Sequence, residues 1–222
     1  MNTRIYVALI AIITGVASLA EAATTPLPYY VEPTFTPIWK EDLKGDIHTI
    51  PNFSLTNQQG ESVSREDLAG HIYVANFFFT SCPGICPTMT RNLLKIQQEY
   101  LDDTDVSIVS HSVTPDIDTV ERLKTYAEQN GVDGNKWQLL TGNKEAIYTL
   151  ARRSYFADKS LGYDKDSNEF LHTENFVLID GFGHIRGVYN GLQPLDMKRL
   201  IHDINTLKTE VTDSGEFSQG RK

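Results

Sequence analysis

The chain contains only two cysteines, no excess of positive charge and no apolar run long enough for a comfortable membrane span. Its 20 lysine and arginine residues stand against 29 aspartate and glutamate residues, giving a net charge of −9. Proteins that bind nucleic acid normally carry a basic patch, so this balance argues against that class. No internal repeat occurs, and 222 residues that are 40% hydrophobic and 22% charged suit one globular domain.

The two cysteines, Cys82 and Cys86, stand only four positions apart. A disulfide that stabilises a fold usually closes a long loop, because the unfolded chain is then restricted more strongly. A disulfide between these two positions would close only a very short loop and would hardly restrict the unfolded chain. The spacing therefore indicates a chemical role for the pair.

The first two dozen residues have the pattern of an export signal. Arg4 precedes an apolar run from Ile5 to Leu19, and Ala20-Glu21-Ala22 has the small-x-small pattern of a cleavage site. This run is shorter than the roughly 20 residues of a typical membrane span. We expect residues 1–22 to be either a cleaved signal peptide or a retained membrane anchor. Either way the folded part is exported, and a leader poor in arginine favours the periplasm over a mitochondrion.

The next segment is rich in proline, since Pro26, Pro28, Pro33 and Pro37 all lie within residues 23–45. Such a composition predicts a linker or a segment wrapped along the domain surface. We expect the folded domain over residues 46–208 and a frayed polar tail over residues 209–222.

The apolar patterns of the domain alternate between those of strands and those of helices. They predict a hairpin around Asn57–Gly60, buried strands over His71–Phe79 and Val106–Val113, a strand at Trp137–Leu140, and a second hairpin of Asn175–Asp180 with His184–Tyr189. They also predict four helices: one with an apolar stripe at Met89, Leu93, Ile96 and Tyr100, one through Val120, Leu123 and Ala127, a short one with Ile147 and Leu150, and one over Leu195–Leu207. The second of these helices is expected to be capped by Asp118 or Thr119. This order predicts an α/β fold: a thioredoxin-like mixed sheet flanked by helices, with an N-terminal hairpin extension.

The segment Cys82-Pro83-Gly84-Ile85-Cys86-Pro87 falls where the first central strand turns into its helix. That junction carries the reactive site in thioredoxin-like folds. Pro87 suits the first turn of a helix, where its missing N–H costs nothing. Cys86 would then lie near the positive end of the helix dipole, which predicts a lowered thiol pKa and a larger thiolate fraction.

The three-residue spacing allows either a disulfide or a shared metal ion. Residues four apart on a helix have Cβ atoms about 5–6 Å apart, whereas a disulfide needs about 3.5–4.5 Å. Two thiolates are soft ligands that select Cu(I), or zinc if a tetrahedron is completed. His172 precedes a predicted strand whose leading loop faces the cysteine loop in such a sheet, so we expect it as the third ligand. Without an evident fourth ligand, copper fits better than structural zinc.

The remaining candidate residues have simpler interpretations as parts of the scaffold. We expect no metal-binding role for the other histidines, which are His48, His71, His111, His184 and His202. His111 lies within a buried strand, which predicts a core histidine with its hydrogen bonds satisfied. Asp116 and Asp118 are interpreted as turn and cap residues.

Four motifs together resemble one protein family. They are CPGICP after the aromatic-rich strand, Ser112–Thr119, Trp137–Gly142, and His172 before Phe176–Asp180. In this order, over about residues 45–207, they resemble the SCO/SenC proteins. These are thioredoxin-fold, copper-binding proteins that help to assemble the dinuclear copper centre of cytochrome c oxidase.

The resemblance implies a copper chaperone in which Cys82, Cys86 and His172 bind the ion. It implies cytochrome c oxidase subunit II, or another copper-accepting protein, as the partner. An alternative is a thiol-disulfide oxidoreductase whose dithiol, Cys82 with Cys86, keeps partner cysteines reduced and is itself served by a thiol-disulfide reductant. The chain departs from the family at Thr114 and Gly84, where many members carry Asp; neither position is a ligand.

Overall fold

The computed structural model describes residues 25–157, residue 171 and residues 173–214, the last four of these by backbone alone. The predicted leader, the histidine proposed as third ligand (His172) and the end of the chain lie outside the described residues. Within the described ranges, no helix is both long enough and apolar enough to cross a membrane.

A mixed sheet of five strands forms the centre of the molecule, in the order β5-β4-β3-β6-β7. Strands β3, β4 and β5 are parallel, while β6 and β7 are antiparallel to their neighbours. The bounds of the strands are β3 Ile72–Phe78, β4 Val106–Ser112, β5 Trp137–Leu140, β6 Asn175–Ile179 and β7 Ile185–Asn190. The predicted mixed sheet is confirmed. Its strands could be recognised in the sequence because strands buried on both faces have continuous apolar runs.

Helices cover the two faces of this sheet, and the N-terminal hairpin packs at one edge. The hairpin consists of β1 (Ser54–Thr56) and β2 (Ser62–Ser64), paired in antiparallel register. The helices are α1 Cys86–Glu99, α2 Val120–Asn130, α3 Lys144–Thr149, which continues into a π-helical turn over Leu150–Ser154, and α4 Pro194–Ser214; single 3₁₀ turns occupy Lys40–Asp42 and Glu66–Leu68.

The alternation of side chains along β3 divides the core into two clusters. Tyr73, Ala75 and Phe77 face the hairpin and α3, in a cluster that also contains Leu171. Val74 and Phe78 face the opposite way, toward α1, α2 and α4. The cysteine end of α1 belongs to this second cluster, so packing fixes where the helix begins.

The proline-rich segment is held against the domain surface. Tyr29 pairs with Ile38, and the backbone N–H of Tyr30 donates to Ile185 at 3.0 Å. The buried Arg186 donates to the carbonyl groups of Leu27 and Pro28, and it forms an ion pair with Glu210 at 2.7 Å. Glu210 lies on α4, which continues to Ser214, so the helix extends beyond residue 209, where the polar tail was expected to begin.

Candidate metal centre

Both cysteines carry free thiols at the junction between β3 and α1. Cys86 is the first residue of the helix and is 5% exposed, packed among the apolar residues of the second cluster. Cys82 lies in the preceding loop and is partly exposed. The pair therefore presents one sulfur to the surface and keeps the other inside.

The amides at the start of α1 have no side-chain cap, because Ile85 occupies the cap position. Orphaned N–H groups at a helix start need an acceptor. The backbone N–H groups of Gly84, Ile85 and Cys86 point at the sulfur of Cys82. Burial raises the pKa of Cys82, but these bonds and one from the Cys86 thiol outweigh it, so the pKa lies below its ordinary value.

Cys86 has the opposite electrostatic environment. Burial, together with the hydrogen bond that its thiol donates to Cys82, raises the pKa of Cys86 to about 12. The prediction that the helix start would lower the pKa of Cys86 is therefore wrong. The helix amides act on Cys82 instead, because the side chain of Cys86 turns inward and loses contact with water.

His172 precedes β6 in the sequence, and of its described neighbours Glu174 is linked to α1 through Gly191. Leu171 is 1% exposed and Thr173 is also buried. The carbonyl of Glu174 accepts from the N–H of Gly191 at 2.8 Å, and the carbonyl of Gly191 accepts from Asn92 of α1 at 2.8 Å. Among the residues described, which omit His172, no group of three metal-binding side chains occurs.

The other histidines have structural surroundings, with one departure from expectation. His48, His71 and His184 contact the Ser154 carbonyl, the Thr104 carbonyl and the Asp180 carboxylate respectively. His111 is fully buried, as predicted, but neither ring nitrogen has a hydrogen-bond partner among the residues that the structure describes. The expectation of a satisfied histidine is wrong, because the ring is enclosed by Phe53, Phe77 and Tyr155.

Asp118 and Tyr126 were not predicted as parts of the cysteine site, but the structure places both near it. Thr119, and not Asp118, caps α2, because its hydroxyl accepts from the N–H of Arg122. Asp118 is instead a fully buried carboxylate that contacts the loop before Cys82. Burial raises the pKa of Tyr126 in α2, and the charge of the two nearby sulfurs raises it further. No local sequence pattern identifies such contacts between distant segments.

The comparisons with known proteins agree on one family. The model of the SCO1/SenC family matches residues 41–209. The SCO1 protein homolog of Bacillus subtilis (strain 168) is 30% identical over 164 residues, which are 73% of this chain and 84% of the relative.

Two solved structures show the same fold and confirm the predicted thioredoxin-like arrangement. A SCO1/SenC family lipoprotein from Bacillus anthracis str. Ames has a TM-score of 0.64 and 32% identity, over 72% of this chain and 95% of that one. Arabidopsis thaliana ScoI, solved with copper bound, has a TM-score of 0.56 and 26% identity, over 72% of this chain and 98% of its own. The chain described here belongs to the SCO1/SenC family.

Proposed function

We propose that this protein carries Cu(I) as cargo on Cys82, Cys86 and His172 and delivers it to a copper-accepting protein during assembly of cytochrome c oxidase. The observation that carries the proposal is the contact between two free sulfurs at the start of α1. Paired thiolates are soft ligands that favour Cu(I). Family membership supports the same cargo, since the Arabidopsis ScoI structure contains copper.

His172 is proposed as the third ligand because of the chain on either side of it. Glu174, two residues later, is linked through Gly191 to Asn92 of α1, the helix that begins at Cys86. Leu171 is anchored in the core on the other side. Strand β6 is antiparallel to β3, so its first residue lies at the end of the sheet where β3 leads into the cysteine loop. His172 is three positions before that strand in the sequence, which supports it as the third ligand.

The different exposure of the two cysteines suits transfer of a metal ion. Cys86 is buried and would hold the ion from within, while the partly exposed Cys82 can be replaced by a thiolate of the acceptor. Metal binding displaces the proton of a thiol. Exchange through the exposed ligand would let copper pass stepwise without release into solvent. We propose subunit II of the oxidase as the acceptor, as the family resemblance implies.

The test is Cu(I) affinity measured by competition with a chromophoric chelator, on reduced protein. The wild type should bind one ion, and Cys82→Ser and Cys86→Ser should each abolish tight binding. His172→Ala should lower the affinity at least about 10-fold, while the dithiol stays reactive toward iodoacetamide. The control is His202→Ala, which removes an exposed imidazole from α4 and should leave the affinity unchanged. Wild-type affinity in His172→Ala would exclude the three-ligand site.

The unequal exposure of the thiols also supports a second candidate, a thiol-disulfide reductase. The Cys82 thiolate would attack a partner disulfide, forming a mixed disulfide and releasing one partner thiolate. Cys86 would then lose its proton and attack the sulfur of Cys82, which releases the second partner thiol. Two electrons pass to the partner, and the Cys82–Cys86 disulfide must be reduced again by an external dithiol. Incubation with an oxidised peptide from an oxidase, without copper, tests this; no exchange over hours would exclude it.

We propose that the domain works outside the cytoplasm. The apolar run from Ile5 to Leu19 supports export. The related Bacillus anthracis protein is a lipoprotein, which is consistent with a membrane-tethered relative. Fractionation of cells that express the tagged full chain should recover it from the periplasm or the inner membrane, and recovery from the cytosol would contradict export.

A further inference from the structure

Asp118 is a charged side chain with no exposure to solvent, located beside the cysteine loop. Its carboxylate accepts from Ser112 Oγ, at the end of β4, at 2.6 Å and from Thr114 Oγ1, in the turn that follows, at 3.0 Å. It also accepts from Thr80, through Oγ1 at 2.6 Å and through the backbone N–H at 3.2 Å. Four donors satisfy a carboxylate, which would otherwise be costly to bury.

The contacts to Thr80 are distinct from the other two, because Thr80 lies 38 positions away in the chain. Thr80 directly precedes the segment that carries Cys82. Its hydroxyl also accepts from Nε of Arg122 at 2.6 Å, so that α2 holds the same group from a second side. The bonds from Ser112 and Thr114 are local and are enough to tie Asp118 to the turn after β4. The bonds to Thr80 therefore fix a different segment.

That segment contacts both sulfurs directly. Phe79, the residue before Thr80, donates its backbone N–H to the sulfur of Cys86. The carbonyl of Phe79 accepts the N–H of Cys82 at 3.3 Å. Any movement of Thr80 away from Asp118 therefore displaces Phe79 and changes the position of each cysteine relative to the helix amides.

We infer that Asp118 is a positioning residue for the metal centre, acting through Thr80 to hold the cysteine loop in its ligand-binding geometry. The inference deepens the proposed function and rests on it for the copper measurement. Polar groups behind the ligands orient them, and their loss commonly lowers metal affinity 10–100-fold. Asp118 itself touches neither sulfur and is not assigned a catalytic role.

The experiment compares Thr80→Val, Thr80→Ser and Asp118→Asn with a matched control, Asp116→Asn, which changes an exposed carboxylate of the same turn. Three quantities are measured: Cu(I) affinity, the rate of Cys82 alkylation at pH 7 without metal, and the thermal midpoint. Thr80→Val and Asp118→Asn should each lower Cu(I) affinity about 10-fold or more. Alkylation should slow about threefold, because the amides no longer converge on the reactive thiolate.

Rescue separates positioning from a general loss of stability. Thr80→Ser keeps the hydroxyl and should restore affinity and alkylation rate to wild-type values, whereas Asp116→Asn should change neither. If Thr80→Val and Asp118→Asn lower only the thermal midpoint, the inference is wrong. If Asp118→Asn does not fold, the comparison of Thr80→Val with Thr80→Ser still tests whether the Thr80 hydroxyl positions the cysteine loop. If the wild type binds no copper, the proposed function fails, while the alkylation rates still decide whether Asp118 positions the loop.

Discussion

The sulfur of Cys82 accepts a hydrogen bond from the thiol of Cys86, which brings the only two sulfhydryl groups of the chain into contact. The same sulfur receives the backbone N–H groups that begin α1. A thiolate is stabilised by each of these donors. Cys82 is therefore the more acidic and more accessible thiol, and Cys86 is the group that supports it from within.

Removal of the Cys86 thiol, which donates to the sulfur of Cys82, should raise the pKa of Cys82. In Cys86→Ala the amides remain but the thiol donor is lost, so we expect the pH midpoint of Cys82 alkylation to rise. The measurement is the rate of iodoacetamide labelling between pH 5 and pH 10. Cys86→Ser is the matched control, because its hydroxyl keeps a donor and should shift the midpoint less. Equal midpoints in Cys86→Ala and the wild type would show that the amides alone set the pKa.

His111 should make the protein sensitive to acid. Burial lowers the pKa of His111 to about 3, whereas an unfolded histidine has a pKa near 6.5. The unfolded state therefore takes up a proton as the pH falls below about 6.5, while the folded state does not. The free energy of unfolding falls accordingly, by about 2 kcal/mol between pH 7 and pH 5 from this residue. Above pH 7 the effect disappears.

The variant His111→Phe tests this effect. Phenylalanine keeps an aromatic ring between Phe77 and Tyr155 and removes the two ring nitrogens, which have no partner within the described ranges. Urea unfolding at pH 7 and at pH 5 should show that this variant loses about 2 kcal/mol less than the wild type on acidification. His202→Gln, which removes an exposed imidazole, should retain the wild-type difference. An unchanged pH dependence in His111→Phe would mean that His111 finds a partner when the protein is in water.

The elements of the fold could be predicted from sequence because their signals are local. The strand Trp137–Leu140 follows from apolar periodicity, and short capping patterns restrict the cap of α2 to Asp118 or Thr119. The position of the cysteine pair at a helix start follows in the same way from Pro87. Neither inference needs any contact between distant parts of the chain.

The electrostatics of the site could not be predicted in this way. Whether a thiol at a helix start meets the amides or the core depends on the direction of its side chain, and burial of Cys86 against α2 and α4 decides it. The partners of Asp118 come from Thr80 and from its own turn, and only the folded sheet brings these together. The apolar surroundings of His111 likewise depend on rings from three segments.

Arg186 fastens the N-terminal segment and should be a large contributor to stability. Its guanidinium is 5% exposed, forms ion pairs with Asp180 and Glu210, and lies over the ring of Tyr29. Arg186→Met leaves two buried or half-buried carboxylates without this partner, so we expect a loss of about 3–5 kcal/mol in the free energy of unfolding. Chymotrypsin should also cut faster after Tyr29. The control is Arg199→Gln, an exposed ion-pair residue, which should cost less than about 1 kcal/mol.

Gly191 allows the segment before β6 to approach the neighbouring loop closely. A Cβ atom at this position would lie 2.6 Å from the ring of Phe176 and 2.8 Å from the carbonyl oxygen of Glu174. The carbonyl is backbone and cannot rotate away, so Gly191→Ala should push Glu174 outward and cost about 1–3 kcal/mol of stability. If His172 binds copper, we expect the displacement of Glu174 to weaken that binding, because the two residues are only two positions apart in the chain.

The copper measurement therefore gives Gly191→Ala a second readout. Cu(I) affinity should fall about 10-fold while Cys82 alkylation without metal keeps its wild-type rate, because the cysteine loop is held independently by Asp118. Gln193→Ala, a change at an exposed position two residues later, should alter neither quantity. A variant that loses stability but binds copper with wild-type affinity would place the third ligand elsewhere in the chain. Loss of affinity together with slower alkylation would instead mean that the two loops move as one unit.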